Sequence, residues 1–178
     1  MPQSNSASLV SKLQTPLISS SKSIVNVQAV CTLYGDGVTG CIRFSQPIGS
    51  IHVKIQGEIQ NLPPNTKHGM HIHTFGDLSD AGPHYNPENK GHGAPFDLEH
   101  RHMGDLGNIE SNQDGIAKFE IMDQKITLFG PYTIIGRSCI ISEKEDDYAR
   151  GETEDSKLNG STGAKLASGI IGIANNVA

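Results

Sequence analysis

The 178-residue chain lacks the features by which membrane and nucleic-acid-binding proteins are most easily recognised. It contains no apolar run near the roughly 18–20 residues that a membrane-spanning helix needs. Its formal net charge is −5 and it has no basic patch, which argues against binding to nucleic acid or to an anionic membrane face. We therefore expect a soluble protein with no nucleic-acid partner and no membrane partner, and a chain long enough for one domain.

Acidic residues are missing before Asp36, and the first 23 residues contain eight serines. Such a segment cannot contribute a packed core, so we predict a disordered tail over 1–23 and a single domain over 24–178. An organelle transit peptide is the alternative, although Lys12 and Lys22 are the only basic residues of the segment. Because no secretory signal pattern is found, we expect a cytoplasmic location.

Cysteine is scarce. Cys31, Cys41 and Cys139 all lie in apolar, strand-like runs, where a small buried side chain is the plain interpretation. Cys31 and Cys41 flank the turn at Asp36-Gly37 almost symmetrically, so a disulfide across a hairpin is the alternative. The odd number of cysteines fits a reducing compartment.

Helical periodicity is also missing, whereas β-branched segments alternate with turn signals along most of the chain. The predicted strands cover 24–34, 38–44, 51–59, 70–75, 105–109, 116–121, 126–128, 132–142 and 167–174. The sequence therefore predicts an all-β, antiparallel sandwich or barrel. Two stretches, 74–104 and 143–165, are long and rich in turn-forming residues, and loops of this length in a compact domain are usually functional.

Histidines are the most informative residues that the chain does contain. His71 and His73 are two apart in a predicted strand, so both imidazoles point to the same face and can reach one ion. The following loop supplies three more imidazoles and a carboxylate, the ligand types that a tetrahedral zinc ion accepts. These residues are His84, His92, His102 and Asp105.

Several segments around these ligands resemble the copper/zinc superoxide dismutases, over roughly 27–174. They are His68-Gly69-Met70-His71-Ile72-His73, Phe75-Gly76-Asp77, Ala81-Gly82-Pro83-His84-Tyr85-Asn86-Pro87, Arg101-His102-Met103-Gly104-Asp105-Leu106-Gly107-Asn108, Ile134-Ile135-Gly136-Arg137 and Gly169-Ile170-Ile171-Gly172-Ile173-Ala174. The resemblance implies an eight-stranded antiparallel Greek-key β-barrel with a metal-holding loop at 74–104 and an electrostatic loop at 143–165.

The resemblance also implies two metal cofactors. Copper would be held by His71, His73 and His84, and zinc by His84, His92, His102 and Asp105, with His84 bridging the two ions. Asp146 matches the second carboxylate of the family site, which orients one copper histidine and one zinc histidine together.

The chain departs from the family pattern at three places. Ser142 stands where the family has its fourth copper histidine, and a neutral hydroxyl is a poor copper ligand beside imidazole. Lys165 replaces the arginine that docks the superoxide anion, so charge is kept while the two-pronged donor is lost. Ser168 stands at one half of the family disulfide, and the segment that would carry the other half is shortened to 77–81.

Two functions follow from this pattern. The first is a dismutase-like, metal-binding relative that keeps zinc, holds copper weakly, has reduced or lost activity, and binds or regulates other proteins. The alternative is a functional copper/zinc superoxide dismutase that converts superoxide to oxygen and hydrogen peroxide with three copper histidines. The resemblance implies a symmetric homodimer through 75–76, 135–136 and 171–173, and a heterodimer with an active dismutase is a further expectation.

Overall fold

The structure is a computed structural model that describes residues 25–175. The segment 1–23, predicted to be a disordered tail, lies outside the described residues. No helix in the described part of the chain is long and apolar enough to cross a membrane.

Strands account for nearly all of the regular structure, which confirms the all-β prediction. Between β7 and β8 lies a single short helix, α1 (Glu154–Asn159), which the sequence did not predict. The strands are β1 (Asn26–Gly35), β2 (Thr39–Pro47), β3 (Val53–Gln60), β4 (Lys67–His73), β5 (Asp105–Glu110), β6 (Ala117–Asp123), β7 (Ser138–Ser142) and β8 (Lys165–Ile173).

The eight strands form one antiparallel sheet in the order β5-β4-β7-β8-β1-β2-β3-β6. The end strands β5 and β6 contact each other, so the sheet curls into a nearly closed barrel. Strand β3 pairs with β6 and β4 pairs with β7, so both of these pairs join strands that are not consecutive in the chain. These crossovers confirm the predicted eight-stranded Greek-key barrel.

Alternating side chains of the strands fill the barrel. In β1, the inward positions Ala29, Cys31 and Leu33 are buried, whereas Thr32 and Tyr34 face outward. This period of two is what a half-buried strand requires, because successive side chains point to opposite faces. The barrel interior is therefore an apolar core.

The register of the first hairpin excludes the alternative disulfide. Cys31 pairs with Ile42 and Cys41 pairs with Thr32, so the two cysteines are not opposite each other, and Cys41 lies on the outward face. All three cysteines are free, with Cys31 and Cys139 buried as predicted.

Two of the predicted strands were wrong in whole or in part. Residues 126–128 form no strand, because side chains satisfy their amides: Asp123 Oδ1 accepts from Ile126 N at 2.9 Å and Gln46 Oε1 accepts from Leu128 N at 2.7 Å. Of 132–142, only 138–142 is strand. The preceding Gly136 has a φ of +87°, which ends an extended run.

Candidate metal centre

Backbone pairing at the end of β4 positions the candidate ligands. His71 and His73 lie on β4, His71 pairs with Asp105 of β5, and His73 forms an isolated bridge with His84. The loop 74–104 returns along the same strand, because Ile72 O accepts from Tyr85 N at 2.8 Å. Residues far apart in the chain are thereby brought to one end of the barrel.

Four of the predicted ligands form one buried group. Their ligand atoms all lie within 4.8 Å of one another, the spacing that a single bound ion requires. Asp105 is the hub of the group, since its carboxylate oxygens lie 2.9 Å from Nδ1 of His84, 2.9 Å from Nδ1 of His92 and 3.2 Å from Nδ1 of His102. Three imidazoles and one carboxylate make a tetrahedral zinc set.

The surroundings of His92 Nδ1 indicate that this group of four residues could bind a metal ion. Its Nδ1 is 2.9 Å from Asp105 Oδ2, yet it has no hydrogen-bond partner among the described residues because the alignment is wrong for one. A buried ring nitrogen without a partner carries a desolvation cost, and a bound cation would remove that cost.

Asp146 joins the two halves of the centre. Its Oδ2 lies 2.9 Å from His71 Nε2 and its Oδ1 lies 2.8 Å from His92 Nε2, and all three residues are buried. With Nε2 occupied, His71 has only Nδ1 left, and this atom is buried without a hydrogen-bond partner in the described part of the chain. Asp146 therefore fixes which nitrogen each ring presents to a metal.

The three predicted copper ligands come together more loosely than the zinc group. The rings of His71 and His84 stack with centroids 4.0 Å apart, and those of His73 and His84 are 5.0 Å apart. His73 Nδ1 is bonded to Gly82 O at 2.7 Å, so Nε2 is the nitrogen left for a metal. The ligand atoms of these three histidines do not all lie within 4.8 Å of one another, in contrast to those of the zinc group.

Ser142 is the last residue of β7. It is buried, it is the cross-strand partner of Lys165, and its carbonyl accepts a hydrogen bond from His68 Nδ1 at 2.9 Å. Its side chain lines a cleft of about 380 Å³ together with His73 and His84. Ser142 therefore lines the same cleft as two of the predicted copper ligands.

The cleft carries both signs of charge. Lys165 lies on one side, where Nζ donates to Leu78 O at 3.1 Å, and Asp80 and Asp155 also line it. The lining therefore contains two carboxylates and one ammonium group, and its charge is not predominantly positive.

The protonation of the histidines differs across the centre in the metal-free protein. Burial lowers the pKa of His73 and of His84 to about 4, and it lowers the pKa of His71 as well. Burial also lowers the pKa of His92, but the carboxylates of Asp105 and Asp146 outweigh it and raise that pKa to about 9. At neutral pH, only His92 of these four is therefore a cation.

The two carboxylates of the centre stay ionised. Burial raises their pKa values, but hydrogen bonds from the histidines outweigh burial. Those from His102 and His84, together with the positive charge of His92, hold the pKa of Asp105 far below its usual range, and those from His71 and His92 lower the pKa of Asp146 to about 2.

Two residues that support the centre were not predicted as site residues. Arg101 is fully buried and its guanidinium bonds Asp105 O and the carboxylate of Asp123, which fastens the ligand loop to β5 and to the end of β6. Asn108 bonds both backbone groups of Asp146, at 2.8 Å and 3.0 Å. Their positions beside His102 and Asp105 in one motif were the only sequence signal.

Comparisons with known proteins show the family of the chain. The family model for copper/zinc superoxide dismutase (SODC) matches residues 38–171. Superoxide dismutase (Cu-Zn) 5 of Dictyostelium discoideum is 48% identical over 152 residues, which cover 83% of this chain and 99% of the relative. The superoxide dismutase (Cu-Zn) of Cryptococcus neoformans var. grubii is 46% identical over 153 residues, 83% of this chain and 99% of the relative. That of Saccharomyces cerevisiae is 44% identical over 154 residues, 84% of this chain and 99% of the relative. The chain belongs to the copper/zinc superoxide dismutase family.

Proposed function

We propose that this protein is a metal-binding member of the family that holds zinc firmly and copper weakly, and whose dismutase activity is reduced or lost. The observation that carries the proposal is the position of Ser142, a hydroxyl that lines one cleft with His73 and His84, whose Nε2 atoms are left free by the hydrogen bonds of their Nδ1 atoms. The zinc and copper halves of the centre support it in different ways.

The zinc half has a complete set of ligands. His84, His92, His102 and Asp105 would hold the ion, and their spacing and the unpartnered His92 Nδ1 fit it. Bound there, zinc supplies a fixed cross-link between the loop 74–104 and β5. The chain itself contributes three imidazoles, the ionised Asp105 and the orientation of His92 by Asp146.

The copper half has three of four expected imidazoles. His71 Nδ1, His73 Nε2 and His84 Nε2 are the nitrogens left free by the hydrogen bonds to Asp146, Gly82 and Asp105. Copper bound there supplies one-electron oxidation and reduction of superoxide. A serine hydroxyl is a much weaker copper ligand than imidazole, so both the retention of copper and its redox poise are expected to suffer.

The charges at the cleft support reduced turnover. Superoxide is an anion, and a cleft attracts an anion best when its lining is cationic. Here Lys165 is opposed by Asp80 and Asp155, and its ammonium is already bonded to Leu78 O. Lys165 also lacks the planar fork that would fix the orientation of an anion.

A binding or regulatory role needs a partner surface, and one apolar patch is suitable. Phe75 and Ile170 are about half exposed, and Gly76 packs so closely on Gly136 O that a Cβ at Gly76 would lie 2.2 Å from it. We propose that this patch forms a homodimer, or a heterodimer with an active dismutase. The expected contribution of Ile171 is corrected, because that side chain is buried in the core and Ile170 is the exposed one.

Light scattering on a sizing column tests the dimer. Ile170→Lys should give a monomer, whereas Ile48→Lys, at another exposed isoleucine, should not change the mass. A monomeric wild type that also forms no complex with an added active dismutase would contradict this part of the proposal.

Location is a separate part of the proposal. We propose a cytoplasmic protein, with organelle import through 1–23 as the alternative. Fractionation of cells that express the full chain and a chain without 1–23 separates the two, since an import signal would move only the full chain.

Metal content and superoxide consumption test the central proposal. Wild type and Ser142→His are loaded with excess copper and zinc, desalted and compared. We expect both proteins to keep one zinc, and only Ser142→His to keep copper and consume superoxide efficiently. If wild type keeps both metals and turns over as fast as Ser142→His, the protein is a functional dismutase with three copper histidines.

A further inference from the structure

The end of α1 carries the dipeptide Asn159-Gly160, which is the only Asn-Gly pair in the chain. We propose that this pair is a modification site, at which the side-chain amide of Asn159 is hydrolysed to a carboxylate, without an enzyme, when the end of α1 opens. The inference is independent of the proposed function, because the reaction uses only groups of the chain and water.

The reaction proceeds through a cyclic imide. The backbone nitrogen of Gly160 loses its proton and attacks Cγ of Asn159. The new N–Cγ bond closes a five-membered ring, the Cγ–Nδ2 bond breaks, and the amide nitrogen leaves with that proton as ammonia. Water then opens the ring at one of its two carbonyls, which gives either aspartate or isoaspartate, in which the main chain runs through Cγ. The sequence of steps needs no oxidant and no reductant.

Gly160 makes the pair reactive, and the structure explains why glycine is required there. A glycine has no side chain to hinder attack by its own nitrogen, so an asparagine before glycine cyclises more readily than one before a larger residue. Gly160 has a φ of +71°, and a Cβ on it would overlap Asp146 Oδ1 and lie 2.7 Å from His92 Nε2. The close packing of Gly160 on Asp146 therefore keeps a reactive dipeptide in this loop.

Hydrogen bonds occupy both reacting groups while α1 is closed. Gly160 N donates to Ser156 O at 3.0 Å, and Asn159 Nδ2 donates to Asp155 Oδ1 at 3.0 Å. Asp147 N also donates to Gly160 O at 2.9 Å. Because the attacking nitrogen and the departing amide are bonded to different partners, the ring closes only after these bonds break.

The helix α1 is short and opens easily. It has six residues, Ser156 is its only buried one, and its first turn depends on the hydroxyl of Thr153, which accepts from Ser156 N at 3.1 Å. Helices shorter than about 12 residues are not stable by themselves in water. Segments with few buried contacts open locally well below the free energy of global unfolding. We therefore expect the reaction in the folded protein, at a rate set by this opening.

The aspartate product keeps α1 from closing fully again. A carboxylate at 159 faces Asp155 one helical turn away, so repulsion between like charges replaces the hydrogen bond of Asn159. A negative charge in the last turn also opposes the helix dipole. The modified helix is therefore less stable than the original one.

The isoaspartate product has a larger effect, because it lengthens the main chain by an atom before Gly160. Gly160 then cannot keep both its bond to Ser156 O and its close packing on Asp146. Asp146 is the carboxylate that bonds His71 and His92. The modification therefore links the opening of α1 to a lasting change beside the buried histidines.

Incubation in ¹⁸O-labelled water tests the proposal. The full, folded chain is kept in a mildly alkaline buffer and digested in unlabelled water, and its peptides are separated and their masses measured. Only hydrolysis during the incubation places ¹⁸O in the new carboxylate. We expect the label in the peptide that contains Asn159, in two chromatographic forms for aspartate and isoaspartate. The exposed asparagines Asn89 and Asn112, which precede larger residues, should gain label much more slowly.

Four variants make the result specific. Thr153→Ala removes the cap of α1 at an exposed residue, and because such a cap contributes the equivalent of about a fivefold change in an equilibrium constant, labelling should be about fivefold faster. Asp155→Ala, which frees Asn159 Nδ2, should also speed labelling. Thr39→Ala, the same substitution at an exposed residue of β2, should leave the rate unchanged. Asn159→Gln should abolish the label, because the larger ring that glutamine forms closes much more slowly.

Three results would overturn the inference. They are the absence of label at 159 in the folded wild type over a period in which the denatured chain reacts completely, equal rates in wild type and Thr153→Ala, and labelling of Asn89 or Asn112 as fast as that of Asn159. Asn159→Asp reproduces one product and tests the consequence, since hydrogen exchange in 143–165 should be faster than in the wild type. Unchanged exchange in this variant would contradict the loosening of α1.

Discussion

His71 and His92 each have one ring nitrogen held by a fixed partner, and that partner determines which nitrogen is left for a metal. For His71 and His92 the partner is Asp146, whose two oxygens each bond one Nε2. Asn108 holds the backbone of Asp146 in turn. A single carboxylate therefore sets the orientation of one ring in each half of the centre.

Replacing Asp146 should weaken both halves without removing a ligand. In Asp146→Asn, the amide accepts from one ring at most, so the rings lose their fixed orientation, and we expect zinc affinity to fall by about 10–100-fold. Competition with a zinc chelator measures this. Asp114→Asn, in an exposed turn, is the control, and equal affinities in the two variants would contradict the role given to Asp146.

His92 makes zinc binding depend on pH. Its pKa in the folded, metal-free protein is about 9, raised from 6.5, so at neutral pH zinc must displace a proton from it. Between about pH 6.5 and 9 we expect apparent zinc affinity to rise by about tenfold per pH unit, with release of one proton. Calorimetry in buffers of different ionisation enthalpy measures the proton, and zinc binding without proton release would contradict the prediction.

The same group gives the metal-free protein a pH-dependent stability. Because the folded pKa of His92 is above its unfolded value, its contribution is complete below about pH 6.5 and is lost as pH rises towards 9. Urea unfolding of the metal-free protein at about pH 7.5, 8.2 and 9 should show this decline, since above about pH 7 His71, His73 and His84 are neutral in both states and no longer affect the comparison. A free energy of unfolding that rises steadily over this range is the contrary result.

Ala149 is a strained residue in the loop that carries Asp146. Its φ is +60°, a left-handed conformation that costs a non-glycine residue about 1–2 kcal/mol. Glycine would remove that cost but add about 0.5–1 kcal/mol of chain entropy, so Ala149→Gly should stabilise the protein by about 0.5–1 kcal/mol. Ala164→Gly, at a residue outside the left-handed region, should destabilise instead, and urea unfolding compares the two.

At the scale of whole elements, strands were predictable where alternation alone decides the structure. Strand β1 has a buried side chain at every second position, and its predicted span agrees with the structure to within two residues. Residues 126–128 are also β-branched or apolar, but they form no strand because the side chains of Asp123 and Gln46 bond their amides. A contact with a residue as distant as Gln46 cannot be predicted from a local pattern. Helix α1 was missed because its start depends on one cap, Thr153.

The strands also determine which thiols can react. Cys31 on β1 and Cys139 on β7 are fully buried, and the pKa of the Cys139 thiol is raised by a hydrogen bond with Cys31 and by burial. Cys41 on β2 is half-buried on the outward face. An aromatic disulfide reagent should therefore label one thiol quickly in the folded protein and three after denaturation, and Cys41→Ser should abolish the fast reaction.

At the scale of the whole molecule, the metal centre lies where the barrel and both long loops meet. His71 belongs to the barrel, His92 to the loop 74–104 and Asp146 to the loop 143–165, and Arg101 fastens the first loop to Asp123 of β6. The sequence predicted the residues of the four-residue group because their spacing and their residue types are local. It did not predict Arg101, Asn108 or the opposed charges of the cleft, because these depend on how the two loops fold over the barrel.

Zinc should therefore stabilise the whole molecule rather than one loop. An ion present at a thousand times its dissociation constant, and bound only by the folded state, adds about 4 kcal/mol to the free energy of unfolding. We expect zinc to raise the melting temperature of the wild type and to slow hydrogen exchange in both 74–104 and 143–165, since Asp146 connects them.

Asp105→Asn provides the decisive comparison, because it removes the carboxylate shared by three histidines. In this variant zinc should leave the melting temperature nearly unchanged, whereas Asp36→Asn in the exposed β1–β2 turn should respond like the wild type. Protection confined to 74–104 would mean that the bridge through Asp146 does not couple the loops. A wild-type melting temperature that does not respond to zinc would mean that the four-residue group does not hold the ion.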